Sequence, residues 1–237
     1  MYSPAELQPY YVNTPPEAIP QSTTPLGEDF TYSGTVRNWQ ASRTINLYAP
    51  FSGETPPSTA DGQLSASGQI SFSRRLFDLA EPTSDFRKIL GYFPAYCPMN
   101  TLRLSKNVQV RLLWARLRVM NTDIRAATGQ GMTPQSSPPP PNYRQLVPAS
   151  TSYAPGSTVD TLLLWSPEPF TAQGETRCLE GSDLYVGQYN TRINVKLERG
   201  WNALTYTLSG ASGSTGDTSL RFDDWAAAPV ASLTDWH

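Results

Sequence analysis

Few residues in this 237-residue chain are of a type that does chemistry. A hydrolytic triad needs a base beside its nucleophile, usually histidine. The single histidine is His237, and no Gly-x-Ser-x-Gly elbow accompanies it. Zinc takes cysteine and histidine in spaced pairs, whereas Cys97 and Cys178 stand far apart. No phosphate-cradling or dinucleotide glycine pattern occurs. Calcium wants oxygen ligands at loop spacing, which Asp183 and the Asp223-Asp224 pair do not show. A glycosidase needs two carboxylates converging on a cleft. Glu168, Glu175, Glu180, Asp183 and Asp223 qualify by type, but 20 acidic residues give many accidental pairs. Solvated turns and caps account for them more simply. The expectation is no enzyme, no metal and no cofactor.

Binding is easier to place than catalysis. Aromatic faces stack on pyranose rings and on peptides alike, and the chain holds 6 Trp and 12 Tyr. Trp114, Trp165 and Tyr206 sit in apolar alternation and belong to a core. Trp39, Trp201, Trp225 and Trp236 sit in turns or near position 237, which makes them the tryptophans to look for at the surface. Tyr10, Tyr11, Trp39, Trp201 and Trp225 are therefore the expected contacts to a partner, with a glycan as one admissible ligand. A net charge of −2 offers no chain-wide attraction for nucleic acid. No run of eighteen apolar residues occurs, so no membrane span is expected.

The elements that would position these residues read as strands. In Arg192 to Leu208, Ile193, Val195 and Leu197 alternate with polar residues, and Leu204, Tyr206 and Leu208 do so again after Arg199-Gly200. A two-residue hairpin loop at Arg199-Gly200 would set Val195 opposite Leu204 and Ile193 opposite Tyr206, with all large apolar groups on one face. A type I′ turn would force positive φ on Arg199, at a cost of about 1–2 kcal/mol. A type I turn with Gly200 in a G1 bulge is the relaxed alternative.

Short strands are expected near Phe30–Val36, Thr44–Tyr48 and Gln69–Ser73, and a helix over Thr83–Gly91. Leu102 to Met120 is the longest strand signal. Its apolar parity switches beyond Trp114, which predicts a bulge near Trp114-Ala115 or a crossing from core to rim. Residues 129–157, with Pro138 to Pro141, read as a linker or a long excursion. Thr161 to Trp165 is a buried strand, Leu184 to Tyr189 another, and Leu220 to Trp225 a last edge strand.

The fold class is thus all-β: an immunoglobulin-like or related β-sandwich, or two, of short antiparallel strands, with one short helix and an extended proline-rich N-terminal segment. Residues 1–29 form that segment, 30–225 the sandwich region, with a division into halves near 128–158 left open, and 226–237 a tail. Pro4, Pro9, Pro15, Pro16, Pro20 and Pro25 stiffen the first part. Tyr2, Tyr10, Tyr11 and Ile19 between them suit contacts to another body. A strap folded back on its own sandwich is the alternative.

Met1 leads directly into polar, proline-rich sequence, so the chain is either cytoplasmic or begins after a removed signal. Low charge (16 % Asp, Glu, Lys and Arg), scarce lysine and abundant Ser, Thr and Tyr lean towards export. In an exported protein a Cys97–Cys178 disulfide is the default.

Two stretches carry a resemblance: Ser33-Gly34-Thr35-Val36-Arg37-Asn38-Trp39, and Asn194-Val195-Lys196-Leu197-Glu198-Arg199-Gly200-Trp201-Asn202. Here the chain resembles exported bacterial cell-envelope proteins, often lipoprotein-like. The resemblance implies a removed signal, an envelope or cell-surface address, a β-sandwich and a lipid anchor in the unprocessed form; it brings no catalytic residues. The expected role is non-enzymatic binding of neighbouring envelope components through the N-terminal segment, as in an S-layer or outer-membrane accessory subunit. A carbohydrate-binding module or wall-acting hydrolase, and a phage or viral structural protein, are the alternatives.

Overall fold

A computed structural model describes residues 19–50, 57–80, 84–89, 96–128, 143–182, 185–212, 218–228 and 233–237. Strands dominate, as the alternating sequence predicts. The first part holds β1 (Gln21–Ser22), β2 (Pro25–Gly27), β3 (Ser33–Val36), β4 (Ile45–Leu47), β5 (Gly62–Leu64), β6 (Gln69–Phe72), α1 (Leu76–Leu79), β7 (Ser84–Asp85) and α2 (Phe86–Ile89). The middle holds β8 (Tyr96–Asn100), β9 (Arg103–Leu104), β10 (Gln109–Trp114), β11 (Leu117–Met120), α3 (Asn121–Thr128), β12 (Tyr143–Leu146) and β13 (Ser152–Ala154). Then come the long strands β14 (Ser157–Ser166), β15 (Phe170–Ser182), β16 (Tyr185–Leu197), β17 (Gly200–Ser212) and β18 (Thr218–Ala227), and lastly β19 (Asp235–Trp236).

The shorter strands form a small barrel. One sheet runs β19-β3-β6-β5-β4, and a separate pair is β11-β12. Main-chain hydrogen bonds join the two at both seams. Tyr48, just past β4, exchanges bonds of 3.0 and 2.8 Å with Arg118 on β11. Val147, just past β12, exchanges two of 3.0 Å with His237, and the Ala149 N–H donates to Asp235 at 2.7 Å. The ring β19-β3-β6-β5-β4-β11-β12 is therefore closed, which removes open sheet edges. Leu47, Leu64, Leu117, Leu146 and Trp236 fill it, together with Tyr32 and Phe72 stacked edge-on.

The long strands make a larger sheet of order β7-β10-β14-β17-β18-β16-β15-β8. Residues 103–114 cross from β15, which β9 pairs, to β14, which β10 pairs. The sheet thereby folds round a second core of Val110, Leu162, Leu164, Phe170, Ile193, Val195, Leu204 and Trp225. Phe86 and Phe170, from opposite ends of the strand order, meet edge-on at 5.1 Å. Leu163 on β14, with Trp201 and Ala203 on β17, faces the barrel-side core instead. The middle strands are buried on both faces, which is why TLLLW is an unbroken apolar run.

The parity switch in Leu102 to Met120 is real. Val108, Val110, Leu112 and Trp114 face the second core, while Leu117 and Val119 face the barrel. Between them the Arg116 N–H bonds back to the Trp114 carbonyl at 2.8 Å, a tight turn that resets the face.

Several expectations are corrected. The strands of the supposed hairpin, β16 and β17, do not pair with each other; β18 lies between them, parallel to β16 and antiparallel to β17. Leu220 to Trp225 is thus part of an interior strand, not an edge. The stretch named as a tail, 226–237, contributes β19 and the buried Trp236 to the barrel. Within the helix expected over Thr83–Gly91, Ser84–Asp85 is taken into the sheet by Gln109 and Val110 and Phe86–Ile89 forms α2, while Thr83, Leu90 and Gly91 lie outside the described residues. Among the described residues two more helices occur: α1, and α3, which directs Ile124 and Ala127 to the core. Residues 143–157, placed in a long loop, carry β12 and β13.

Candidate interaction site

The opened pair of β16 and β17 creates a notch. β18 pairs β16 as far as Ile193 and β17 from Leu204 onward. Towards the turn, Val195–Lys196 keep β15 and Trp201–Asn202 keep β14 on their outer sides, but their facing edges would lack a neighbour, and the strap of residues 19–29 supplies it. β1 runs parallel to Val195–Lys196, and β2 antiparallel to Trp201–Asn202. Thr23, between the two, donates its N–H to the Lys196 carbonyl at 2.9 Å.

One buried amide organises the notch. Asn202 is fully buried. Its Nδ2 donates to the carbonyls of Glu198 at 2.8 Å and Gly200 at 2.9 Å. Its Oδ1 accepts from the Glu198 N–H at 3.0 Å and the Thr23 hydroxyl at 2.7 Å. The turn and the strap are thus held by a single side chain whose hydrogen-bonding capacity is filled. Gly200 adopts φ +90°, and a Cβ there would come within 2.8 Å of the Gly27 backbone. Only glycine allows the strap so close. Arg199 escapes the positive φ of a type I′ turn, since Asn38 is the only non-glycine with positive φ among the described residues.

The strap leaves the notch at an exposed end. The Asn194 amide donates to the Ile19 carbonyl at 3.3 Å, and the Ile19 side chain is 88 % exposed. Glu28 and Asp29, where the strap joins the barrel, pair with Arg199 at 2.6 Å and Arg75 at 3.1 Å, all four well exposed.

The residues expected at the surface divide sharply. Trp39, Trp201 and Trp225 are buried, at 9, 0 and 5 % exposure, so none is a surface contact. Trp201 is buried beside the turn because the sheet is covered on both faces there and the strap closes its end. Trp225 stacks edge-on with Tyr206 at 5.2 Å, and Tyr206 with Trp114 at 5.6 Å. Tyr10 and Tyr11 lie outside the described residues. Cys97 and Cys178 fall on neighbouring strands, since β8 pairs β15 at Met99↔Arg177 and Tyr96↔Leu179. No described cysteine is a free thiol.

Two charged clusters went unnoticed in the sequence. Asp160, 4 % exposed on β14, accepts from Arg116 at 2.8 Å and from the Tyr153 hydroxyl at 3.1 Å, with the Arg116 guanidinium over the Trp114 ring. Burial raises the Tyr153 phenol above its ordinary value; the Arg116 charge opposes that and Asp160 adds to it. Asp61, 2 % exposed, accepts from the Ala49 N–H at 2.8 Å and Arg74 at 2.9 Å. A lone acid inside the apolar run VDTLLLW was the signal for Asp160. Asn202 and Thr23 gave none, since each looks like an ordinary polar loop residue. Of the carboxylates weighed for glycoside chemistry, Glu168 pairs with Lys106 at 2.5 Å, and Arg192 is raised chiefly by its hydrogen bond to Asp224, against burial, with the charges of Asp224 and then Glu175 adding. The Glu180 and Asp223 side chains and all of Asp183 lie outside the described set.

Among the described residues no group of three His, Cys, Asp or Glu is placed to hold a metal, and no helix is long and apolar enough to cross a membrane. The architecture is that of an all-β protein in which a small closed barrel and a folded-over sheet are bound together by a strap. Compared with known protein families, with curated proteins and with solved structures, the chain matches none.

Proposed function

We propose that this is an exported protein of the cell envelope or surface that works by binding neighbouring components through its N-terminal segment, without catalysis. One observation carries the reading. The strap is clamped at Thr23 by Asn202 and releases the chain at an exposed apolar residue, Ile19. Residues 1–18, with Tyr2, Tyr10, Tyr11 and Val12 among prolines, precede that exposed residue in the sequence. Prolines fix φ, so such a segment loses less entropy on docking than a flexible one.

The carbohydrate-binding alternative loses its aromatic platform with the burial of Trp39, Trp201 and Trp225. The test is a double substitution, Tyr10→Ala with Tyr11→Ala, in the full chain. Co-purification with the envelope fraction should fall at least tenfold while the melting temperature stays put. Recovery in the soluble cytosolic fraction of both wild type and variant would overturn the reading.

A further inference from the structure

We propose that the strap is exchanged between two copies of this chain, each copy filling the other's notch. The notch cannot stand empty at low cost. Without residues 21–27 the Lys196 carbonyl and the Asn202 Oδ1 lose their Thr23 donors, and the fully buried Trp201 and Asn202 lose their cover. Buried polar groups left without partners are expensive, so the notch demands a strand. The pairing supplied is mostly main chain, with side-chain contacts at Thr23, at Leu26 and from Asn194 to the Ile19 carbonyl, so any copy's strap serves equally well.

Leaving uncovers Trp201 and takes Leu26 off the barrel-side core, and a second copy's strap restores both contacts. The strap's attachment is the exposed pair Glu28 and Asp29, held by surface ion pairs that salt screens. Gly27, just before them, takes φ +83°, and no atom lies within 4 Å of the place its Cβ would occupy. A glycine at positive φ is a place where the chain can pivot once β2 is released, its backbone lying against Gly200 while docked. The next anchored residue is Tyr32, buried in the barrel-side core. A pivot this short requires the two notches to lie side by side, which gives a closed twofold dimer rather than an open chain. The contacts of residues 21–27 are retained after exchange, so concentration and the change at the pivot set the balance.

The inference stands on the notch and not on the envelope assignment. Its test mixes two full-length variants, one with Ser22→Cys and one with Lys196→Cys, positions that are register partners. The mixture is unfolded and refolded at high concentration, oxidised and mapped by mass spectrometry, with light scattering on the wild type in parallel. Exchange predicts a 22–196 bond joining the two different chains and a doubled wild-type mass at the same concentration. A wild type that stays monomeric up to millimolar concentration, with no such bond, overturns the proposal. A dimer lacking the 22–196 link overturns it equally, because another surface would then hold the copies together.

Discussion

Replacing Asn202 by alanine should unlock the strap. The side chain satisfies the Glu198 N–H, the Glu198 and Gly200 carbonyls and the Thr23 hydroxyl at once. Thr23 keeps the Lys196 carbonyl as an alternative acceptor at 3.0 Å. The Glu198 N–H and the Glu198 and Gly200 carbonyls lose the partner that Asn202 provides. With about 1–3 kcal/mol for each buried group left unpaired, the substitution should cost about 3 kcal/mol. For a domain of this size that is a fall of about 6–12 °C in melting temperature. Thr23→Val keeps the shape and removes one donor while the amide retains its bond from Glu198, so about 1 kcal/mol is expected. In the double variant the losses should fall short of additivity by about 1 kcal/mol, the coupling of the pair. Urea unfolding followed by tryptophan fluorescence measures all three. An Asn202→Ala protein within about 0.5 kcal/mol of wild type, or strict additivity, would refute the account of the notch.

Asp61→Ala should destabilise by about 2–4 kcal/mol, since the buried carboxylate holds both Ala49 and Arg74, and Asp61→Asn should cost less; calorimetry ranks them. The hydrogen bond from Arg37 holds the Asp235 carboxyl below its ordinary value, burial opposing it and the charges of Arg37 and His237 adding. A carboxylate with a depressed folded value contributes stability above its unfolded pKa of about 3.9 and loses it as pH falls through the folded one. Arg37→Ala should therefore raise the Asp235 titration midpoint in an NMR pH series, and an unmoved midpoint would contradict the pairing. For the proposed Cys97–Cys178 bond, intact mass after alkylation without reductant should show no labelled thiol. Closing a loop of about 80 residues stabilises by about 4–4.5 kcal/mol in the chain-entropy picture, and two labelled cysteines would dispose of it.

Periodicity reports which face a residue takes, and on that point it served well. Ile193, Val195, Leu197, Leu204 and Tyr206 all reach one core, and the reset at Trp114–Ala115 falls where the apolar parity changes. Periodicity is silent on which strand lies next door. A paired hairpin and one prised open by β18 place the same side chains on the same face, so the insertion left no mark on the pattern. The strap escaped for a related reason: β1 and β2 are two and three residues long, too short to alternate. The tryptophans misled because a turn position implies exposure only where nothing covers the turn. At Trp201 the barrel covers one side and the strap closes the end.

The closed ring also bears on how the chain reaches its fold. β3 and β19 pair Thr35 with Asp235, so the seam that completes the barrel joins residues 200 positions apart (235 − 35). Contacts of such long range are slow to form, because the loop they close must be ordered first. During synthesis, β3 through β6 emerge early and wait with a bare edge until residues 233–237 arrive. A nascent chain arrested before β19 therefore presents a strand template to its surroundings at the moment it is most concentrated on the ribosome. The barrel that hides its edges most completely in the finished protein is the part that exposes them longest while the protein is being made.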